Sequence, residues 1–220
     1  KYTNGSLDFD NGSLDFDSIS AGVNYIYDFE AAKLLSGVTV DWGKNKIERR
    51  VVGVDDTISA DYNNVTTSVQ LGLSKDFAVE SVTFTPLTYF NYAYIYQENF
   101  SESGGLWTKK YQAIKHNTTS LAAGMNIAYN FKSDSFEHIL SGFGIYERRL
   151  SGVTIKNKAR FNDFVQHSFV QQNDLSRNSL SLGASYHLSA SKYFLNIGII
   201  NDFAKKQSNF SFLGTFGLKF

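Results

Sequence analysis

Phe210-Ser211-Phe212-Leu213-Gly214-Thr215-Phe216-Gly217-Leu218-Lys219-Phe220 is the stretch whose pattern decides the fold. Phe210, Phe212, Gly214, Phe216, Leu218 and Phe220 share one parity, and Ser211, Leu213, Thr215, Gly217 and Lys219 share the other. Successive side chains of a strand point to opposite faces, so one face here is apolar and the other small or polar. A segment of this length and pattern is what a tilted strand needs to cross a bilayer within a closed barrel.

The same alternation recurs upstream. Ile19, Ala21, Val23, Tyr25, Tyr27 and Phe29 oppose Ser18, Ser20, Gly22, Asn24, Ile26 and Asp28; Val38, Val40 and Trp42 oppose Gly37, Thr39, Asp41 and Gly43. Thr67, Val69, Leu71 and Leu73 form a third such face, Leu121 to Phe131 a fourth, Leu180 to Leu188 a fifth, and Tyr193 to Ile199 leads into the final strand. Two further segments, 82–97 and 137–147, read as extended with ambiguous faces: Tyr92, Tyr94 and Tyr96 compete with Tyr89, Ala93 and Ile95 for the outside. No Asp, Glu, Lys or Arg enters any of the clear apolar faces. Lipid enforces that, because a basic residue at the bilayer midplane costs roughly 2–4 kcal/mol. A soluble sandwich or small barrel also alternates, but packs its core from bulky groups, whereas the opposing faces here are rich in Gly, Ser, Asn and Ala.

Composition narrows the partners. The 21 basic and 21 acidic residues cancel, so no nucleic-acid footprint is indicated. Absence of Cys removes disulfides and thiolate chemistry. Mean hydropathy is −0.24 and no apolar run approaches a membrane helix, a test that does not register barrels. The chain starts at Lys1 without an export signal, so residue 1 is expected not to be the translation start.

Connections near 30–33, 75–81, 131–137 and 189–192 are short, and those near 43–64, 97–118 and 147–178 are long and polar. Alternating short and long connections are those of an up-and-down barrel. Tyr27, Phe29, Phe77, Tyr129, Phe131, Tyr186, Tyr193 and Phe220 fall at the short-turn end, as an aromatic girdle on the expected periplasmic side; Trp42, Phe203 and Phe210 fall at the other. The count is about nine to ten strands in an antiparallel all-β barrel. Residues 1–18, with NGSLDFD exactly duplicated at 4–10 and 11–17, are expected to be a polar loop or linker, and 19–220 the barrel. Either residues 1–17 add a short strand or the chain is part of a larger barrel. A terminal aromatic marks bacterial outer-membrane barrels, whose assembly machinery reads the last strand. Phe212, Gly214, Phe216, Leu218 and Phe220 are therefore the expected assembly signal.

The stretch Thr85-Pro86-Leu87-Thr88-Tyr89-Phe90, followed by Phe100, Glu102 and Gly104 in a Phe-x-Glu-x-Gly loop and by the strand Ser120–Phe131, resembles the autotransporter translocator domain. Glu48-Arg49-Arg50 is similar to the Arg that closes an earlier strand of that family, and Phe164–Leu188, with Phe169, Arg177, Asn178, Leu182 and Gly183, resembles the loop and strand before its final hairpin. The likeness spans about Ile19 to Phe220. It implies a monomeric twelve-strand barrel in outer-membrane lipid, with a linker helix in its pore and an N-terminal passenger carried to the cell surface. The first strands and the helix would lie outside this sequence. An adhesin or small channel working through its long loops is the alternative.

A barrel enzyme is a further class. Its candidates are His116, His138, His167 and His187 with Asp163, Asp174 and Ser168, but adjacent His167 and Ser168 on a strand face opposite ways. Asp55 and Asp56, and Glu98 and Glu102, read as solvated loop carboxylates or incidental Ca²⁺ ligands. Glu102 and the polar lumen residues are candidate passenger contacts or simply lumen solvation. No metal, nucleotide or cofactor motif is present.

Overall fold

The computed structural model describes the chain apart from residues 1, 10, 11, 52, 54, 55, 106, 134, 163–167, 206, 219 and 220, and the side chains of Phe9 and Gln207. Fifteen strands run in chain order: β1 Tyr2–Phe9, β2 Gly12–Asp28, β3 Lys33–Arg50, β4 Thr57–Ser74, β5 Phe77–Val79, β6 Val82–Gln97, β7 Phe100–Ser101, β8 Lys109–Tyr111, β9 Ile114–Ser133, β10 Phe136–Ser151, β11 Thr154–Phe161, β12 Ser168–Asp174, β13 Asn178–Ser189, β14 Tyr193–Ala204 and β15 Gln207–Leu218. The wall is an antiparallel sheet in the order β1-β2-β3-β4-β6-β9-β10-β13-β14-β15, with β5 on β6. The path has ten strands and begins and ends on β1 and β15. A second sheet has the order β12-β11-β8-β7.

Register assigns the faces that the sequence left ambiguous. Trp42 pairs with Val65 and Val65 with Tyr96; Val69 pairs with Tyr92 and Leu71 with Phe90. Paired residues share a face, so Phe90, Tyr92, Tyr94 and Tyr96 lie on the apolar side and Tyr89, Ala93 and Ile95 on the polar one. On β10 the apolar side is His138, Leu140, Gly142, Gly144 and Tyr146, opposite Leu188, Tyr186, Ala184, Leu182 and Leu180. The apolar face is open: Val23 is 76% exposed, Phe212 69% and Phe216 67%. So extensive a surface of apolar side chains needs a cover, and lipid suits it; the strands between the edges pair on both sides, while β1 and β15 end the sheet.

The apolar face stops at one row of the ladder. Ile19, Trp42, Val65 and Tyr96 are registered neighbours and the last apolar row on β2, β3, β4 and β6. One pair of residues further, the same side carries Asp17, Lys44 and Asn63, while the opposite side now bears Phe16 and Tyr62, then Leu14, Ile47 and Ala60. Polarity inverts without interrupting the strand. Below that row the outside is apolar, as lipid requires; above it the outside is polar and the apolar residues turn inward.

This inversion corrects two sequence expectations. The segment 43–64 is not a long loop, because β3 and β4 remain paired from Lys44–Asn63 to Arg50–Thr57. Nor are residues 1–18 a polar loop or linker. The duplicated heptads form a hairpin in which Leu7 pairs with Leu14 and Gly5 with Phe16. A Cβ on Gly5 would lie 2.5 Å from the Phe16 ring, so the ring occupies the glycine's place, as aromatics commonly do beside strand glycines. On the outer side Asp17 accepts hydrogen bonds from the Tyr2 hydroxyl at 2.8 Å and from Asn4 Nδ2 at 2.5 Å. Among the described residues the two copies form paired strands, Leu7 beside Leu14 and Asp8 beside Ser13. The connections 97–118 and 147–178 likewise contain the second sheet.

Candidate functional site

The second sheet rests on the polar face of the wall at its long-loop end, and the Phe-x-Glu-x-Gly motif holds it there. Phe100 is stacked between Tyr62 of β4 and Tyr111 of β8, each ring centroid 4.5 Å away at an interplanar angle of 17°. Glu102 is 98% enclosed at its side chain, with 2% exposure, and pairs with Arg49 of β3. Arg49 donates from Nε to Oε1 at 2.9 Å and from Nη2 to Oε2 at 2.7 Å, and its Nη2 also donates to the Trp107 carbonyl at 3.0 Å. The Lys109 amide donates to Oε2 at 2.8 Å and the Tyr111 hydroxyl to Oε1 at 3.4 Å. Gly104 has φ +105°, and a Cβ there would lie 2.4 Å from the Thr57 carbonyl oxygen. Only glycine combines that φ with so close a backbone approach.

Charge follows from this packing. The hydrogen bond to Glu102 raises the Arg49 guanidinium further above its ordinary value. Burial, then repulsion from Arg49, lowers the Lys109 ammonium. Burial first, and Glu102 next, pushes the Tyr111 phenol up to about 12. Between the two sheets lies a cavity of about 330 Å³ whose lining includes Ile47, Tyr62, Ile95, Phe100, Tyr111 and Asn157. Ile58, 1% exposed, is the largest fully buried side chain among the described residues. Its neighbour across the ladder is Arg49.

The other expected site residues fall in two places. Pro86 lies opposite the break between β4 and β5, where Ser74 pairs with Leu87 and Phe77 with Phe84. Lacking an N–H, it suits an interrupted ladder, and its carbonyl accepts from the Lys75 amide at 3.2 Å. Nearby, Asp76 accepts from Lys33 Nζ at 2.6 Å and from Thr85 Oγ1 at 2.7 Å, tying β3 to β6 at the short-turn end.

At that end the expected aromatics do meet. Tyr27 packs edge-on against Phe29 at 4.6 Å. Tyr129 stacks on Phe131, Phe131 on His138, and His138 Nδ1 hydrogen-bonds the Tyr186 hydroxyl at 2.7 Å. Phe136 links His138 to Tyr193, each 6.4 Å away. Of the final strand's expected signal, Phe212, Gly214, Phe216 and Leu218 lie on the apolar face, opposite Ile199, Ile197, Leu195 and Tyr193. Phe220 lies outside the described residues.

The enzyme candidates are dispersed. His116 Nε2 meets the Gly152 carbonyl at 2.9 Å, His138 joins the aromatic row, and His187 tilts on Phe194. Asp174 accepts from Thr154 Oγ1 at 2.8 Å; Asp163, His167 and Asp55 lie outside the described residues. Glu98 caps Asn63, accepting from its backbone N at 2.7 Å and its Nδ2 at 2.8 Å, and is therefore not a partner of Glu102. Among the described residues no three His, Cys, Asp or Glu gather as a metal site. Sequence reasoning missed Tyr62, in the part of β4 beyond the apolar row, and Lys109 and Tyr111, in the three-residue β8; parity carries no lipid signal at either place. Arg49 stood in the sequence as an isolated family-like residue; its partner was legible only in space.

A curled antiparallel wall with lipid-compatible outside, polar inside and a sheet folded over one end defines a transmembrane β-barrel. The family model of the autotransporter beta-domain matches residues 1–195, and the chain belongs to that family. Its structure is similar to the translocator domain of autotransporter NalP from Neisseria meningitidis, with TM-score 0.80 and 17% identity over 100% of this chain and 71% of that one. A second match, to the transport unit of the autotransporter AIDA-I from Escherichia coli, has TM-score 0.43 and 12% identity over 100% of this chain and 86% of that one. At 17% identity the likeness to the NalP domain is one of fold. Comparison with curated protein sequences gives no match. Autotransporter β-domains are outer-membrane translocators that export an attached passenger polypeptide, and that is the function of this family member.

Proposed function

We propose that the domain sits with its short-turn end and C-terminus toward the periplasm and its second sheet at the cell surface, supporting export of an N-terminal passenger through the polar side of the wall. The observation that carries this is the division of the strands at the Ile19–Trp42–Val65–Tyr96 row. Below it, Ile19 to Tyr27 is the length a tilted strand needs to span the hydrocarbon, ending in an aromatic row. Above it the wall continues in water and is capped. Transport is structural work: the strands between the edges satisfy their backbone groups within the sheet and leave Ser, Asn and Gly on the passage side. Glu102, already engaged by Arg49, Lys109 and Tyr111, positions the cap and is not a passenger contact.

The barrel-assembly machinery is the second partner in this reading, engaging β15 through Phe212, Gly214, Phe216 and Leu218, with Phe220 beyond it. The barrel works as a monomer and catalyses no reaction of its own. The test is a reporter fused ahead of the domain in the full-length protein. Surface protease should remove the reporter from intact cells while the short-turn loops stay protected. A reporter retained in the periplasm behind a correctly inserted barrel would refute the export reading; protease attack on the 29–32 turn would refute the orientation.

A further inference from the structure

The face of the second sheet turned away from the wall is cationic. Lys110 of β8 is registered with Arg160 of β11, and Arg160 with Ser168 of β12. Lys156 and Lys158 follow on the same face of β11. The opposite face carries Tyr111, Ala159 and Phe169, the side that packs toward the wall through Phe100 and Tyr62. All four cations are exposed, and among the described residues none makes an ion pair. The face's acid, Asp174, sits at the far end and is bonded to Thr154.

This arrangement is unfavourable by itself. Like charges directly opposite on neighbouring strands destabilise a sheet, and Lys110 faces Arg160. The surface is also concave: Lys110, Lys158 and Arg160, with Asn99, Gln112 and Ser168, line a cavity of about 410 Å³, and no carboxylate is among the described residues of that lining. That volume lies in the range of small-ligand sites. The whole chain is neutral, so the local excess is not a general basicity.

We propose that this face is a binding site for a soluble sulfated glycan, with Arg160, Lys110 and Lys158 receiving sulfate groups and Asn99, Gln112 and Ser168 the sugar hydroxyls. Three arguments select that class. Residues two apart on a strand are separated by about 7 Å, so Lys156, Lys158 and Arg160 form a row of single charges suited to singly charged esters on successive sugars. Around Arg160 the backbone of β11 is paired with both β8 and β12, so recognition there falls to side chains, and an acidic peptide could add only at the outer edge of β12. The face also lies on the polar side of the wall, away from the lipid-facing residues, which disfavours a lipid headgroup. The biological setting rests on the proposed orientation, but binding by purified protein does not, since both ends are open in detergent.

The experiment is calorimetry of the whole folded chain in detergent with a heparin-derived tetrasaccharide at fixed ionic strength. K110Q/R160Q should lower affinity by about tenfold, as expected for loss of two exposed charge contacts, with heat-modifiable migration unchanged. K44Q/K46Q, removing cations from the outer side of β3, should bind as the parent does. The desulfated tetrasaccharide, which needs no variant, should bind at least tenfold more weakly than the sulfated one. Equal affinity of K110Q/R160Q and parent, equal affinity for the desulfated sugar, or equally tight binding of polyglutamate of matched charge would each overturn the proposal, the last in favour of an acidic peptide.

Discussion

Arg49 of β3 and Glu102 of the β6–β9 connection grip each other through two parallel hydrogen bonds, 2.9 and 2.7 Å, beneath the second sheet. The pair joins the wall to its cap, and two-point geometry makes it directional. Phe100 and Gly104, two residues to either side of Glu102, complete the attachment by ring stacking and by close backbone approach.

Glu102→Gln keeps the shape and removes the charge, leaving Arg49 half-buried without its counter-ion. The attachment of the cap should weaken by ~1–3 kcal/mol. Hydrogen exchange at the Lys109 amide, which donates to Glu102, reads this directly and should accelerate, while the strands below the Trp42 row keep their protection. Unchanged exchange at Lys109 would show that the pair does not hold the cap.

Gly104→Ala forces a methyl to within 2.4 Å of the Thr57 carbonyl at a φ that side chains rarely adopt. It should cost roughly 1–3 kcal/mol and raise protease sensitivity of the second sheet. Gly142→Ala is the control, because its Cβ would meet only the Gly183 carbonyl, at 3.6 Å. Equal sensitivity of the two variants would count against the backbone argument.

Leu182→Arg places a cation on the lipid face and should impair insertion by roughly 2–4 kcal/mol. Ser181→Arg should be milder, since Ser181 faces the polar side and already bonds Asp202, which would receive the guanidinium. Equal loss of heat-modifiable barrel in both would reverse the faces of β13.

The polarity inversion predicts where the bilayer ends. The chain has no cysteine, so single labels are specific. A fluorophore at Val40→Cys should be quenched from the lipid phase, and one at Lys46→Cys, on the same side of the same strand, from water. Lipid quenching at both positions would move the boundary beyond the Trp42 row.

Tyr111 provides the pH test. Its phenol is pushed up to about 12, whereas an unfolded tyrosine ionises near ~10. The folded cap thus binds this proton more tightly than the unfolded chain does. The resulting stabilisation is complete below pH ~10 and disappears as pH rises toward 12. Burial raises Tyr62 as well, so tyrosinate absorbance should show a late component that shrinks by one phenol in Tyr111→Phe; a titration identical in the variant would remove Tyr111 from the site.

Deleting Phe220 should lower the yield of assembled barrel without altering the stability of what does assemble. Yield equal to the parent would take Phe220 out of the proposed assembly signal.

Alternation alone was enough to recognise β2 from Ile19 onward, β9, β13 and β15 and the apolar side of each, because lipid admits apolar residues at every second position and leaves that period in the sequence. It also located the short turns and the aromatics beside them. It failed where the environment changes along one strand: above the Ile19–Trp42–Val65–Tyr96 row the apolar parity switches, so residues 44–50 and 57–63 lose the lipid signal while keeping their ladder. For 82–97, rows of aromatics on both parities balanced, and only register with Val65, Val69 and Leu71 put Tyr96, Tyr92 and Phe90 outside. Pairing of the duplicated heptads, the stacking of Phe100 between Tyr62 and Tyr111, and the meeting of Arg49 with Glu102 were decided by tertiary structure. Such contacts join residues far apart in the chain, and no local period records them.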